Sequence, residues 1–248
     1  MKALVREPSP HLAQGLLTHI GRSPVDYDLA RRQWDGYVAA LESVGWEPVA
    51  VEAAPEHPDG VFVEDTVVVR GDKALIARPG ASERRGETAG TRRTVLGLGL
   101  DVGEVQGPDT LDGGDVLKIG DRFYVGVGDR TSRGGCDQLA AFFDVEVTPV
   151  PVTKVLHLKS GVTALPDGTV IGYPPLLDDV SMFARFLPVP EEPGAHVVVV
   201  DEQTVLMAAS APRTAQLLRQ RGLRTVEVDI GEFEKLEGCV TCLSVRLR

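Results

Sequence analysis

Residues 66–79 read TVVVRGDKALIARP, in which two apolar runs flank the pair Gly71-Asp72. Residues 115–128 repeat this arrangement as DVLKIGDRFYVGVG, around Gly120-Asp121. A glycine and an aspartate between two apolar runs are typical of a tight β-hairpin, because both residues suit the backbone of the turn. The sequence therefore predicts a hairpin in each stretch, and the likeness of the two stretches predicts a repeat.

Two weaker copies extend the repeat. They occupy residues 161–173, which turn at Pro166-Asp167-Gly168, and residues 197–208, whose turn near Asp201 has no glycine. Each hairpin precedes a stretch with helical periodicity, and these helix candidates cover residues 83–97, 131–143, 176–186 and 211–222. Short strands, such as residues 145–150 and 225–228, then follow. Each unit thus has the order strand, strand, helix, strand.

The fifth unit is split between the two ends of the sequence. A last strand at residues 240–247 has a hairpin partner only if the opening strand, residues 2–6, pairs with it. A helix at 25–44 and a strand at 47–52 complete the unit. The hairpins start roughly 40 residues apart, within the range of repeat architectures. We therefore expect an α/β fold of five ββαβ units around a pseudo-fivefold axis, in one domain over residues 1–248; an ordinary mixed sheet with meanders is the alternative.

The composition of the chain argues against some classes of function. The formal net charge is −10, which repels nucleic acid phosphates, and no basic stripe offsets it. No apolar run approaches the roughly 18 residues of a membrane span, so we expect no membrane association. The three cysteines, Cys136, Cys239 and Cys242, cannot all pair within a monomer and fit a reducing compartment. We expect a cytoplasmic protein that acts on a small molecule, and a homodimer remains open.

Polar side chains gather where the hairpins begin. The first hairpin is preceded by Asp59 and by the adjacent acids Glu64 and Asp65, and the second by Asp112. The third is preceded by His157, and the last begins with the two cysteines of GCVTCLS. Singly, such acids are as often strand-end solubilising groups, and such a histidine is more often a core residue. If the units are related by rotation, however, these groups share one cavity at the axis.

A shared cavity of this composition has a definite chemistry. A cysteine and a histidine together supply a nucleophile and a general acid/base. A ring of carboxylates binds a positively charged electrophile, such as a guanidinium group, through charge-assisted hydrogen bonds. The pattern therefore indicates a cysteine nucleophile, a general acid/base and a wall of acids that holds a positively charged electrophile.

Several motifs, in this order and spacing, resemble the dimethylarginine dimethylaminohydrolase family of the pentein superfamily. They are FVEDTVVV (62–69), RPGASERRGE (78–87), LDGGDVL (111–117), FYVGVGDRTS (123–132), KVLHLKSGVTAL (154–165) and GCVTCLSVRL (238–247). The resemblance implies a five-bladed α/β propeller, in agreement with the repeat. It also implies hydrolysis of N-methylated L-arginine, asymmetric dimethylarginine or monomethylarginine, to citrulline and an amine, through a covalent cysteine intermediate and without a metal or organic cofactor.

The resemblance also implies roles for individual residues. Cys242 matches the nucleophile, His157 the general acid/base, and Asp112 the carboxylate that orients the histidine. The positions that match substrate-binding residues are Leu16, Asp59, Glu64, Asp65, Arg84, Arg130 and Leu236. Of these, Glu64 and Asp65 match the guanidinium-binding acids, the two arginines would bind the substrate carboxylate, and Asp59 with the Leu236 carbonyl would bind its ammonium. Gly15-Leu16 resembles a lid over the pocket.

Three alternatives stay open. An arginine deiminase-like or other guanidino-group hydrolase of the same superfamily would use the same nucleophilic strategy. A redox or zinc protein is suggested by the C-x-x-C spacing of Cys239 and Cys242, although these residues lie in a strand-forming run and zinc would need two further ligands. A non-enzymatic binding protein with the same shell would be expected to lack Cys242 or His157, and both are present.

Overall fold

The computed structural model describes residues 1–247, and these residues form five three-stranded sheets. Each sheet combines one antiparallel pair with one parallel pair. The strands are β1 (Lys2–Val5), β2 (Glu47–Ala50), β3 (Val67–Arg70), β4 (Lys73–Ile76), β5 (Asp101–Glu104), β6 (Val116–Ile119), β7 (Arg122–Val127), β8 (Glu146–Pro151), β9 (Val162–Ala164), β10 (Val170–Gly172), β11 (Phe186–Pro188), β12 (Val197–Val199), β13 (Thr204–Ala208), β14 (Arg224–Val228) and β15 (Val245–Leu247). The α-helices are α1 (Tyr27–Ser43), α2 (Thr88–Gly97), α3 (Arg133–Phe143), α4 (Pro212–Gln220) and α5 (Gly231–Glu234).

All four predicted hairpins are present. The first pairs Val67 with Ile76, and the second pairs Val116 with Val125. Gly71 and Gly120, at their turns, have φ angles of 59° and 58°, in the left-handed region that glycine occupies without a steric penalty. The glycine-aspartate signal was therefore a reliable guide to the turns.

The ring closes as the split fifth unit requires. Strand β1 pairs antiparallel with β15, Lys2 opposite Leu247, and parallel with β2. Four of the five units carry an α-helix of nine residues or more between their second and third strands. The fold is therefore an α/β propeller of five units, with one unit modified.

The modified unit is the third, where the predicted helix over residues 176–186 is wrong. Only a single 3-10 turn, Pro174–Leu176, forms there, followed by turns and bends. The carboxylate of Asp178 accepts from the Thr153 amide, and that of Asp179 accepts from the amide and hydroxyl of Ser181. The local bonds of Asp179 compete with helix formation, the bonds of Asp178 tie the segment to the distant Thr153, and two successive prolines restrict the start of the segment.

The last strand is also shorter than predicted. It covers Val245–Leu247, whereas residues 240–243 form a turn. The carbonyl oxygens of this turn bond outside the sheet: that of Val240 accepts from the Tyr37 hydroxyl at 2.8 Å, and that of Cys242 accepts from the Glu64 amide at 3.2 Å. Because Tyr37 belongs to the buried face of α1, the helix of the split unit fixes the position of the cysteine turn.

The first strand of each unit is preceded by one tight turn. Four are 3-10 helices, at Val63–Thr66, Gly113–Asp115, Leu158–Ser160 and Glu192–Ala195, and the fifth is the turn at residues 240–243. The predicted polar side chains lie in or beside these turns rather than within strands. Within residues 1–247, the longest helix is α1, with 17 residues, and no helix has the length and hydropathy needed to cross a bilayer.

Candidate active site

Two glycines let neighbouring turns touch. A Cβ atom on Gly113 would overlap the carbonyl oxygen of Glu64, and one on Gly114 would lie 2.6 Å from Asp65 Oδ1 and 2.7 Å from His157 Nδ1. The amide of Gly114 donates to Asp65 Oδ1 at 2.9 Å. Any side chain at these positions would separate the turns, so the pair Gly113-Gly114 brings the first three polar groups together.

His157 lies between two carboxylates. Its Nε2 is 2.9 Å from Asp112 Oδ2, and its Nδ1 is 3.7 Å from Asp65 Oδ1. Burial opposes a charged imidazole, but the negative charges of Asp65, Asp112 and Asp115 outweigh it and raise the pKa of His157 to about 9. The ring is therefore an imidazolium at neutral pH, with a proton on each nitrogen.

Asp112 and Asp115 hold the histidine from behind. Asp112 has no exposed surface, and its Oδ1 accepts from the Gly80 amide at 2.9 Å. Asp115 accepts from the Leu158 amide at 2.9 Å and so fixes the turn that follows His157. Sequence reasoning missed Asp115, although it stands in the LDGGD motif (111–115) and its position before a strand gave a usable signal.

Asp65 is a buried, ionised carboxylate. Its Oδ2 pairs with Arg84 Nη1 at 2.7 Å. Burial alone would raise the pKa of Asp65, but the positive charges of His157 and Arg84 lower it to about 2. A negative charge is therefore present at this point of the site throughout the physiological range.

Arg84 is already well occupied. Its Nε and Nη2 bind the two oxygens of Glu87 at 3.0 and 2.9 Å, in addition to the pair with Asp65. Glu87, which sequence reasoning missed, lies three residues after Arg84 in the RPGASERRGE motif. Arg84 thus fixes the position of the Asp65 carboxylate.

The two cysteines of the last unit are in contact. The sulfur atoms of Cys239 and Cys242 are 3.2 Å apart, and both thiols are free. The hydrogen bond with Cys239, burial and the negative charges of Glu64 and Asp65 raise the pKa of Cys242 well above the ordinary value of a thiol. The cysteines lie in a turn rather than in the predicted strand, and neither is at the start of a helix, where the helix dipole would favour a thiolate.

One small pocket collects most of the predicted site. It is lined by Leu16, Asp59, Asp65, Arg84, Arg130, His157, Leu236 and Cys242, together with Phe62, Leu156, Glu237 and Gly238. The second group was not predicted, because its members are apolar, glycine or in a segment without a polar motif. Cys239 is not among the lining residues. Asp112 lies behind His157, out of contact with the pocket.

Glu64 does not line this pocket. It lines a separate cavity, where its Oε1 binds Lys159 Nζ at 2.6 Å and Arg246 Nη2 at 2.9 Å. Its Oε2 is buried and has no hydrogen-bond partner within residues 1–247. Glu64 therefore retains one free acceptor although two cations already bind its other oxygen.

Two further groups face the pocket from its rim. Both oxygens of Asp59 accept from the Leu16 amide, at 3.2 and 3.1 Å, and a Cβ on Gly15 would lie 2.8 Å from Asp59 Oδ1. Burial raises the pKa of Asp59. The Nη1 of Arg130 is buried without a partner in the described part of the chain, which leaves a charged donor for a ligand.

A metal could in principle meet three of these groups. Ligand atoms of Asp65, Asp112 and His157 lie within 4.8 Å of one another. However, an imidazolium has no lone pair to offer a metal, and Asp112 and Asp65 already accept from His157, Gly114 and Arg84. The arrangement is better suited to holding and moving a proton.

Known proteins with this fold match the chain over nearly its full length. A dimethylarginine dimethylaminohydrolase from Streptomyces coelicolor is 63% identical over 250 residues, covering 100% of this chain and 97% of the relative. The structure of the Pseudomonas aeruginosa enzyme, a cysteine-to-serine variant complexed with citrulline, matches with a TM-score of 0.91 at 32% identity, covering 99% of this chain and 98% of that one. A dimethylarginine dimethylaminohydrolase adduct with S-methyl-L-thiocitrulline also gives a TM-score of 0.91, at 32% identity and with 99% of each chain covered.

No protein-family model matches the chain. The high identity over the full length, the common architecture and the pocket nevertheless agree with one another. The chain therefore belongs to the dimethylarginine dimethylaminohydrolase family of the pentein superfamily.

Proposed function

We propose that the protein hydrolyses N-methylated L-arginine to citrulline and dimethylamine or methylamine, through a covalent intermediate on Cys242. One observation carries the proposal: the Cys242 thiol, the His157 imidazolium and the ionised Asp65 line the same small pocket. The relatives complexed with citrulline and with S-methyl-L-thiocitrulline support it.

The guanidinium group is bound by the acids. Asp65 keeps its charge because its pKa is about 2. Glu64 matches a second guanidinium-binding acid: its carboxylate pairs with Lys159 and Arg246 in the separate cavity, and its buried Oε2 retains a free acceptor. Both carboxylates are shielded from water, where charge-assisted hydrogen bonds are strongest. The substrate cation would therefore bind Asp65 directly, and Glu64 would take part by turning its free Oε2 toward the pocket.

The amino acid end is bound at the rim. The free Nη1 of Arg130 is suited to the substrate carboxylate, and Arg84 adds a second positive charge nearby. Asp59 and the carbonyl of Leu236 are suited to the ammonium group. Leu16, whose amide contacts Asp59, covers this end of the pocket.

The chemistry follows from the charges. In the empty site, Glu64 and Asp65 disfavour a Cys242 thiolate, and a bound guanidinium reverses that effect. The thiolate attacks the guanidinium carbon, and His157 donates its proton to the departing amine, which leaves an S-alkylthiouronium intermediate. The neutral His157 then takes a proton from water, the hydroxide adds to the same carbon, and the carbon–sulfur bond breaks to release citrulline. Asp112 holds the imidazole in place in both steps.

Separate incubations with asymmetric dimethylarginine, monomethylarginine and arginine test the substrate class. We expect citrulline from the methylated substrates, and none from Cys242→Ser under the same conditions. Citrulline formed faster from arginine than from either methylated substrate would contradict the proposal and favour an arginine deiminase-like activity.

We also propose that the protein works in the cytoplasm, since its three cysteines are free thiols.

A further inference from the structure

Residues 15–20, which we call the cover segment, form no strand or helix, and Leu16 of this segment lines the pocket. Residues 18–20 are exposed. An exposed irregular segment closes over a ligand only if specific contacts hold it, because it has few apolar contacts of its own. The contacts that hold this segment therefore matter for binding.

Glu237 makes two short contacts with this segment. Its Oε2 accepts from the Thr18 amide at 2.7 Å, and its Oε1 accepts from the His19 amide at 2.8 Å. One carboxylate thus binds two successive backbone amides, with a hydrogen bond on each oxygen. These bonds cross more than 200 residues of sequence and join the segment that follows β1 to the segment that precedes β15.

The backbone of Glu237 is unusual. Its φ angle is 59°, in the left-handed region that residues other than glycine rarely adopt. Its neighbours Leu236 and Gly238 both line the pocket, as does Glu237 itself. Uncommon backbone conformations of this kind concentrate at ligand clamps.

A second contact links the cover segment to the proposed substrate carboxylate site. Arg130 Nη2 donates to the Thr18 hydroxyl at 3.3 Å, while Nη1 of the same guanidinium is buried and unpartnered in the part of the chain described. A carboxylate on Nη1 would hold Arg130 in the position that reaches Thr18. Glu237 and a bound substrate therefore stabilise the same closed position.

We propose that Glu237 is a positioning residue that holds the cover segment closed over the bound amino acid. The identity of that amino acid rests on the proposed function, whereas the closing contact does not. Loss of the contact should weaken substrate binding and leave the catalytic groups in place, because Glu237 touches neither His157 nor Cys242.

The first test needs no substrate. Hydrogen–deuterium exchange of residues 15–20 is compared in the wild type, Glu237→Gln and Glu237→Ala. Glutamine keeps one acceptor oxygen and alanine keeps none, so we expect the amides of Thr18 and His19 to exchange faster in the order alanine, glutamine, wild type. Glu234→Gln is the matched control, since Glu234 loses the same charge three residues earlier but binds Ser210. Unchanged exchange in Glu237→Ala overturns the proposal.

The second test separates positioning from a general structural role. With methylated arginine, we expect Glu237→Ala to raise KM about tenfold and to change kcat less than KM, since the contact acts on binding. A wild-type KM, or a fall in kcat alone, overturns the proposal. If the wild type itself makes no citrulline, the proposed function fails, and the exchange experiment still decides whether Glu237 holds the segment.

Discussion

Replacing Asp65 with asparagine tests whether the site is built for a cation. The substitution keeps nearly the same volume but removes the buried negative charge that contacts Arg84 and Gly114 and lies 3.7 Å from His157. A charge-assisted hydrogen bond in such a site is worth about 1.5 to 3 kcal/mol, and each 1.4 kcal/mol is about a factor of ten. We therefore expect citrulline formation to fall at least tenfold.

Two other properties should change in a direction that general misfolding would not produce. Asp65 is the largest contributor that raises the pKa of His157, so this pKa should fall below its present value of about 9. Asp65 also disfavours a Cys242 thiolate, so alkylation of the thiol in the free enzyme should stay equal or quicken while turnover drops. The assays are citrulline release, the alkylation rate and NMR titration of the imidazole.

A matched control is available at the surface. Asp121→Asn removes one carboxylate that is 96% exposed and that, among residues 1–247, pairs with Arg70. It should leave all three measurements unchanged. If Asp65→Asn hydrolyses methylated arginine at the wild-type rate, Asp65 only holds Arg84 and the Gly114 turn in place, and the cation-binding model is wrong.

Three further outcomes are expected. Cys242→Ser should abolish turnover with the fold retained, whereas Cys239→Ser should remain substantially active, because only Cys242 lines the pocket; equal loss in both variants, measured by citrulline release, would revive the paired-cysteine interpretation. His157→Asn should slow both halves of the reaction while substrate still attaches to Cys242, which mass spectrometry after a rapid quench would detect, and unchanged turnover would remove His157 from the mechanism. Because folding raises the pKa of His157 from 6.5 to about 9, its contribution to stability is complete below pH 6.5 and is lost as the pH rises through about 9; thermal unfolding between pH 6 and 9.5 should show this loss in the wild type and not in His157→Asn.

The hairpins and the ring were predictable because their signals are local and repeated. The turns of residues 66–79 and 115–128 require a positive φ angle, which glycine adopts without a steric penalty. The split unit follows because the first and last strands of the sequence each lack a neighbouring hairpin partner. The helix predicted at 176–186 does not form, because the side chains of Asp178 and Asp179 bind the backbone amides of Thr153 and Ser181 instead. Periodicity reports which residues can face a core, and it contains no information about such competing bonds.

The site was predictable in its members but not in its connections. Family motifs pointed to Asp65 and Arg84, yet the ion pair between them, and the pairing of Arg84 with Glu87, depend on how separate turns pack. Glu64 is adjacent to Asp65 in sequence and faces a different cavity, because successive residues in a tight turn point in different directions. Glu237 carries no motif, and its contact with Thr18 exists only in the folded chain.

The pairing of β1 with β15 has a consequence for biosynthesis. Strand β1 is translated before the other described strands, but the partner for one of its edges, residues 245–247, is translated after the other four units are complete. Until then this edge is an open template for unwanted pairing, and the turn that holds Cys242 does not yet exist. The pocket that contains Cys242 is therefore assembled only after the last strand has been translated. The pairing of β15 with β1 then both covers the strand edge and completes the site.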